Sequence, residues 1–95
     1  MIKSISISEL MKLSNINIID IRSIEKYNNN HINGSINIQA KEIIKNPSKY
    51  LNKDNKYYIY CQRGIQSRKL CVLLHNIGYD VINIEGGYEA WILSK

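Results

Sequence analysis

The sequence has 95 residues, of which 44% are hydrophobic, so its length and composition suit a single domain over residues 1–95 with one small core. It lacks an apolar run long enough to span a membrane and a secretory signal segment, which excludes a membrane partner and predicts a cytoplasmic protein. The net charge of +5 comes from basic residues scattered among acidic ones, which argues against a nucleic-acid partner, and the two cysteines are too few for a disulfide framework.

The first half of the chain alternates between short helical and strand-like patterns. Ser6 and Glu9 match a capping box, which predicts a short helix over residues 10–13. Residues 16–21 are apolar and mostly β-branched, which predicts a buried strand. The later segments are predicted as a helical turn over 23–27, a strand over 35–38, a helical turn over 41–45 and a helix start at Asn46-Pro47.

The second half holds the clearest elements. Residues 56–60 predict a strand that ends directly before Cys61, and residues 67–77 predict the longest helix, with Gly78 after its end. The apolar side of this helix is predicted to consist of Leu70, Leu73, Leu74 and Ile77. A strand over 81–84, a Gly-Gly turn and a closing helix over 88–93 follow. The alternation predicts an α/β fold: a small, mostly parallel central sheet of about five strands flanked by helices.

The segment that joins the predicted strand to the longest helix carries the chemistry. Its residues are Cys61, Gln62, Arg63, Gly64, Ile65, Gln66, Ser67 and Arg68. Ligands of open α/β sheets bind at the carboxyl ends of strands, and a short glycine-containing loop before a helix can direct several N–H groups at one anion. A thiol at the base of such a loop should have a lowered pKa, and Arg63 and Arg68 would add positive charge. This context predicts a nucleophilic cysteine facing a small anionic substrate rather than a merely buried Cys61.

Four other residues have both a functional and a structural interpretation. Asp20 and Arg22 follow a strand, where they either shape the electrostatics of the site or form a structural ion pair, and we favour the ion pair. His31 could serve as a general acid or base, but a hydrogen bond to the backbone is the favoured interpretation. Cys71 could act as a resolving thiol for Cys61, although a small buried hydrophobe is favoured.

Several stretches together resemble one known family. Residues 61–67 resemble the C-x-x-G-x-x-S active loop of rhodanese-like domains, and residues 19–22 resemble the hydrophobic-D-x-R strand end of that family. Residues 25–27 resemble its E-x-Y stretch, residues 31–38 its G-H-I-P-G-A-x-N-I stretch, and residues 84–91 its terminal G-G-x-x-x-W. The resemblance covers nearly the whole chain, with the pieces in the family's order and spacing.

The resemblance implies a sulfurtransferase in which Cys61 is the catalytic residue. Its thiolate would take a sulfane sulfur from a small anionic donor, thiosulfate or another persulfide or polysulfide. Cys61 would carry the sulfur as a persulfide and pass it to cyanide or a thiol, including a protein thiol. Residues 62–68 would bind the substrate, Asp20, Arg22 and His31 would support the site, and no metal or organic cofactor is needed. Many members have Arg where this sequence has Gln66, so the departure bears on the choice of donor.

Two other functions compete with sulfur transfer. Non-catalytic protein-binding modules occur in this family, but they often lack the cysteine that is present here as Cys61. Some relatives of the fold are Cys-based phosphatases or arsenate reductases, whose loop needs Arg six residues after the cysteine. In this sequence that position holds Ser67, and Arg68 comes one residue later, so the shorter loop favours a sulfur group.

Overall fold

A computed structural model describes residues 2–95, which form five strands and six helices. The strands are β1 (Lys3–Ile5), β2 (Asn17–Asp20), β3 (Ser35–Asn37), β4 (Lys56–Tyr60) and β5 (Asp80–Ile84). The helices are α1 (Ile7–Leu10), α2 (Ile24–Asn29), α3 (Ala40–Lys45), α4 (Pro47–Tyr50), α5 (Ile65–Asn76) and α6 (Gly87–Leu93). Within residues 2–95, no helix is both long enough and apolar enough to cross a bilayer.

The strands form one sheet in the order β1-β5-β4-β2-β3, and every neighbouring pair is parallel. This arrangement confirms the predicted α/β fold with a parallel central sheet. Because all strands run in the same direction, their carboxyl ends meet at one edge of the sheet. Cys61 follows β4, the middle strand, so the predicted site lies at the centre of that edge.

Helices cover both faces of the sheet, and the two cores follow the alternation of side chains along each strand. On β4, Tyr57 and Ile59 belong to the core under α3 and α5, whereas Tyr58 and Tyr60 belong to the core under α1 and α6. All four side chains are buried. The sheet is therefore a middle layer, and a loop at the carboxyl end of β4 sits between the helices of both faces.

The beginning of the chain differs from the prediction. Ser6 does cap a helix, since its side chain accepts a hydrogen bond from Glu9 N at 3.2 Å, but this helix runs over Ile7–Leu10 and not over residues 10–13. The reason is that a residue at the N-cap places the first turn directly after it, where Ile7 and Leu10 bury their side chains. Strand β1 was not predicted, because three residues at a sheet edge, two of them exposed, show no readable periodicity.

The prediction of which residues form the apolar side of the longest helix is partly wrong. Helix α5 starts at Ile65, two residues earlier than predicted, and Leu73 and Ile77 are 52% and 51% exposed. Its buried positions are Ser67, Leu70, Cys71 and Leu74. These positions have the helical spacing i, i+3, i+4 and i+7, so the buried face begins at a polar residue, Ser67, which the hydrophobic pattern could not reveal.

Candidate active site

The Cys61 side chain is held by the first turn of α5. Its Sγ accepts hydrogen bonds from Gly64 N at 3.2 Å and Ser67 N at 3.3 Å, and the thiol donates to Ser67 Oγ at 3.4 Å. Gly64 is the N-cap of α5 with φ of +89°, a left-handed conformation that turns the loop back over the sulfur. The sulfur therefore faces backbone donors at the positive end of a helix.

This environment lowers the pKa of the Cys61 thiol below its ordinary value. Burial, the largest single influence, raises the pKa because it disfavours the charged thiolate. The hydrogen bonds from the Ser67 side chain and from the backbone amides of Ser67, Gly64 and Arg63 favour the thiolate and together outweigh burial. A larger fraction of Cys61 is consequently ionised near neutral pH than for an ordinary cysteine, and the thiolate is the nucleophilic form.

The start of α6 fixes the loop from the other side. Tyr88 N donates to the Cys61 carbonyl at 2.9 Å, and Glu89 N donates to the Gln62 carbonyl at 3.0 Å. This close approach requires glycine at Gly87, because a Cβ there would overlap the Cys61 carbonyl oxygen and lie 2.9 Å from Gly64 N. The Gly-Gly turn that the sequence predicts therefore serves to bring helix amides against the active loop.

Two clefts open beside Cys61. One has a volume of about 330 Å³ and reaches toward β2 and α2, and the other has a volume of about 230 Å³ and lies over the loop. Gln62 and Gln66 line both clefts with Cys61, whereas Lys26 lines only the larger one and Arg63 only the smaller one. A third cavity of about 330 Å³ between α1 and Trp91 has no ionisable side chain in its lining. Of these three cavities, only the clefts at Cys61 combine a thiol with cationic side chains.

Arg22, paired with Asp20, lies at the larger of the two clefts. Asp20 and Arg22 form a buried ion pair with Arg22 Nη2 2.8 Å from Asp20 Oδ2, and Arg22 Nη1 also reaches Gln62 Oε1 at 3.4 Å. Arg22 lines the larger cleft, so the pair both fixes β2 to the following loop and faces the site. Its guanidinium lies 4.0 Å from the centre of the Tyr88 ring.

His31 and Arg68 lie outside both clefts, and Arg63, which lines the smaller cleft, is paired with Glu89. His31 stacks on Tyr27 with ring centres 3.9 Å apart, its Nδ1 is 2.8 Å from the Tyr27 carbonyl, and it lines neither cleft. Arg63 is exposed, with Nε 3.6 Å from Glu89 Oε2. Arg68 is exposed on α5 and also lines neither cleft. Most of the polarity around the sulfur thus comes from backbone amides rather than from these side chains.

Comparison with known proteins decides the family. The family model of the rhodanese-like domain matches residues 6–94. The chain belongs to the rhodanese-like domain family. It is 29% identical to the thiosulfate sulfurtransferase GlpE of Shewanella oneidensis, covering 94% of this chain and 91% of that protein. It is 33% identical to the thiosulfate sulfurtransferase PspE of Escherichia coli, covering 81% and 75% of the two chains.

Solved structures agree with this assignment. The crystal structure of a rhodanese-like domain protein from Staphylococcus aureus matches with a TM-score of 0.85 and 32% identity, covering 95% of this chain and 91% of the other. The relatives support a sulfurtransferase-like enzyme of the rhodanese family, which implies a sulfur donor and a sulfur acceptor in general.

One polar residue of this rhodanese-like domain was missed by the sequence analysis. Asn83 on β5 is only 3% exposed, and its Oδ1 lies 2.5 Å from Ser67 Oγ while its Nδ2 donates to the Gly64 carbonyl at 3.3 Å. The available signal was an asparagine inside an otherwise apolar strand, since a buried polar side chain needs hydrogen-bond partners. The partners themselves depend on how β5 lies against α5.

The second cysteine of the rhodanese-like domain is shielded. Cys71 is fully buried in the core under α5, and burial, followed by the charge of Cys61, raises the pKa of its thiol to about 12. Cys71 is therefore much less readily ionised than Cys61, and its thiol is the less reactive of the two. Among residues 2–95, His, Cys, Asp and Glu side chains form no group of three or more that could hold a metal ion.

Proposed function

We propose that this chain, acting as a single domain, is a sulfurtransferase that carries sulfane sulfur as a persulfide on Cys61. The observation that carries the proposal is the environment of Cys61. Its Sγ accepts hydrogen bonds from two backbone N–H groups, the pKa of its thiol is lowered, and the residue lines two clefts. The thiosulfate sulfurtransferases among its relatives support the same chemistry.

The reaction has two steps with a balanced exchange of sulfur. In the first, the Cys61 thiolate attacks the outer sulfur of thiosulfate, a new S–S bond forms, and sulfite leaves with the electron pair of the broken S–S bond. A polysulfide or another persulfide donor reacts in the same way, with a shorter sulfur chain or a thiolate as the leaving group. In the second, cyanide or an acceptor thiolate attacks the outer sulfur of the persulfide, and the Cys61 thiolate is restored.

The loop residues 62–68 bind the donor in this proposal. The N–H groups of Ile65 and Gln66 precede the first intrahelical hydrogen bond of α5, which runs from Arg68 N to the Gly64 carbonyl, so they are the donors offered to the outer sulfur. The side chains of Gln62 and Gln66 flank the donor in the clefts, where Lys26 and Arg63 attract its negative charge. The exposed Arg68 on α5 adds to the positive potential from outside the clefts.

The supporting role in this proposal belongs to Asp20, Arg22 and His31, which hold neighbouring groups in place. The buried Asp20 carboxylate holds the guanidinium of Arg22 at the wall of the larger cleft, where it also contacts Gln62. His31 orders the segment between α2 and β3 through its contact with Tyr27. Acceptors are small nucleophiles or the thiol of another protein, because Cys61 lines two clefts that are open at the surface.

The test is the intact mass of the protein after incubation with thiosulfate, before and after cyanide is added. Cys61→Ser is compared with Cys71→Ser, a matched variant that removes the other thiol. We expect the wild type and Cys71→Ser to gain the mass of one sulfur atom, which cyanide removes, and Cys61→Ser to gain nothing.

A gain on polysulfide but not on thiosulfate would keep Cys61 as the carrier and assign a different donor. No gain with either donor on correctly folded wild type would refute sulfur transfer and favour a protein-binding module. Release of inorganic phosphate from a phosphate ester without any persulfide would favour the phosphatase alternative.

A further inference from the structure

The Asn83 side chain forms hydrogen bonds with two residues of the active loop, Gly64 and Ser67. Asn83 lies on β5 between β1 and β4, and its side chain points to the same face as Val81, which packs under α5. At this buried position it contacts the hydroxyl of Ser67 and the carbonyl of Gly64, both of which surround Cys61. A polar residue in the centre of a parallel sheet is costly unless both ends of its amide are satisfied.

The orientation of this amide follows from its neighbours. The Gly64 carbonyl can only accept, so the amide end facing it must be the NH₂ group, and Oδ1 must face Ser67. An amide oxygen can only accept, so the single hydroxyl proton of Ser67 points at Asn83, 2.5 Å away, and not at Cys61 Sγ, 3.4 Å away. In this arrangement Ser67 Oγ accepts the proton of the Cys61 thiol.

We propose that Asn83 is a positioning residue that competes with Cys61 for the hydroxyl proton of Ser67. The proposal rests on the sulfurtransferase proposal only in taking the Cys61 thiolate as the working group. When Cys61 ionises, the hydroxyl can turn to the thiolate only if it leaves Asn83 Oδ1 buried and unpaired. Asn83 therefore limits the stabilisation that the Ser67 hydroxyl gives to the Cys61 thiolate.

Removal of the Asn83 amide should release the Ser67 hydroxyl. Asn83→Leu has nearly the same volume and no acceptor, and the Gly64 carbonyl keeps its second partner, Arg68 N, at 3.3 Å. The hydroxyl then donates to the Cys61 thiolate without loss elsewhere. The charged and titratable groups that face Cys61 stay unchanged in Asn83→Leu and in Ser67→Ala; they are Arg22, Lys26, Arg63 and Cys71.

The measurement is the rate of Cys61 alkylation by iodoacetamide across pH, which requires no sulfur donor and so is independent of sulfur transfer. In Asn83→Leu we expect the midpoint of the pH profile to move down. Below the midpoint the thiolate fraction should rise about tenfold and the alkylation rate about threefold, since a less basic thiolate is also less nucleophilic. Thermal unfolding reports whether each variant is folded, and Asn83→Ala replaces Asn83→Leu if that variant is too unstable.

The alkylation rates with Asn83 and with Asn83→Leu are then compared again in protein that also carries Ser67→Ala. The proposal requires that the shift caused by Asn83→Leu disappears in the Ser67→Ala background, and that Ser67→Ala slows alkylation more in Asn83→Leu than in the wild type. Asn83→Asp, whose carboxylate holds the hydroxyl more strongly, should move the midpoint up. An equal shift from Asn83→Leu in both backgrounds, no shift, or shifts of the same sign in Asn83→Leu and Asn83→Asp would overturn the proposal.

Discussion

At the scale of single residues, the donor preference of the site depends on Gln66. Its side chain lines both clefts beside Cys61, at the position where many related sequences carry arginine. An uncharged amide offers a hydrogen bond to a sulfonate oxygen but no attraction at longer range. Two of the three cations that line the clefts are partly neutralised, since Arg22 is paired with Asp20 and Arg63 with Glu89.

A charge added at Gln66 should therefore favour thiosulfate. We expect Gln66→Arg to raise kcat/KM for thiosulfate about fivefold to tenfold, the effect of one cation roughly 5 Å from a doubly charged anion near water. Asn76→Arg is the matched control because it adds the same charge to the exposed far end of α5. Steady-state rates with cyanide as acceptor measure the effect, and equal changes in both variants would show that only net charge matters.

The central cysteine could be predicted from sequence, while its hydrogen-bond partner beneath the loop could not. Cys61 stands between an apolar strand and a glycine-containing helix start, which is a local pattern. Asn83 reaches Ser67 across 16 positions of sequence, so its role depends on the register of β5 against β4 and on the rotation of α5. That rotation was itself partly misjudged, because Ser67 takes a buried position, whereas Leu73 and Ile77, which were predicted on the apolar side, are about half exposed.

At the scale of elements, the site is a junction of two helix N-termini. Helix α5 presents its first amides to the sulfur, and α6 presents the amides of Tyr88 and Glu89 to the carbonyls of Cys61 and Gln62. The loop is therefore bonded on both sides, and its shape depends on how closely α6 approaches. The sequence predicted α6 as a closing helix, but its contact with the loop depends on the three-dimensional arrangement.

Widening this contact should loosen the loop. We expect Gly87→Ala to destabilise the fold by at least about 2 kcal/mol more than Gly34→Ala, because the new methyl group meets the Cys61 carbonyl. Gly34 is the matched control, since its φ of +86° is also left-handed and a Cβ there meets nothing within 4 Å. Denaturant unfolding gives the two free energies, and persulfide formation should slow only in Gly87→Ala. Equal destabilisation would mean that backbone strain alone accounts for the loss.

At the scale of the whole molecule, the charge balance favours the approach of anions. Thirteen lysines and arginines stand against eight acidic residues, and among residues 2–95 the ion pairs within 4 Å involve only Lys3, Lys12, Arg22 and Arg63 as cations. The remaining basic side chains create a positive potential that reaches into solvent and is screened by salt. This property follows from composition and could be predicted without a structure.

Salt should therefore slow the reaction with an anionic donor. Raising ionic strength from about 0.01 M to about 0.15 M shortens the screening length from about 30 Å to about 8 Å, and we expect persulfide formation from thiosulfate to slow severalfold. Alkylation of Cys61 by neutral iodoacetamide is the internal control and should change little. If both reactions slowed alike, salt would be acting on the thiolate or on the fold rather than on the encounter.

The burial of Cys71 has a consequence for the behaviour of this chain under oxidants. A cysteine oxidised to sulfenic acid is commonly rescued when a neighbouring thiolate condenses with it to a disulfide. Cys71 is fully buried with a thiol pKa of about 12, so it is a poor nucleophile for that rescue. Cys61 oxidised by peroxide must wait for a thiol from solution, and in its absence proceeds to the irreversible sulfinic and sulfonic acids.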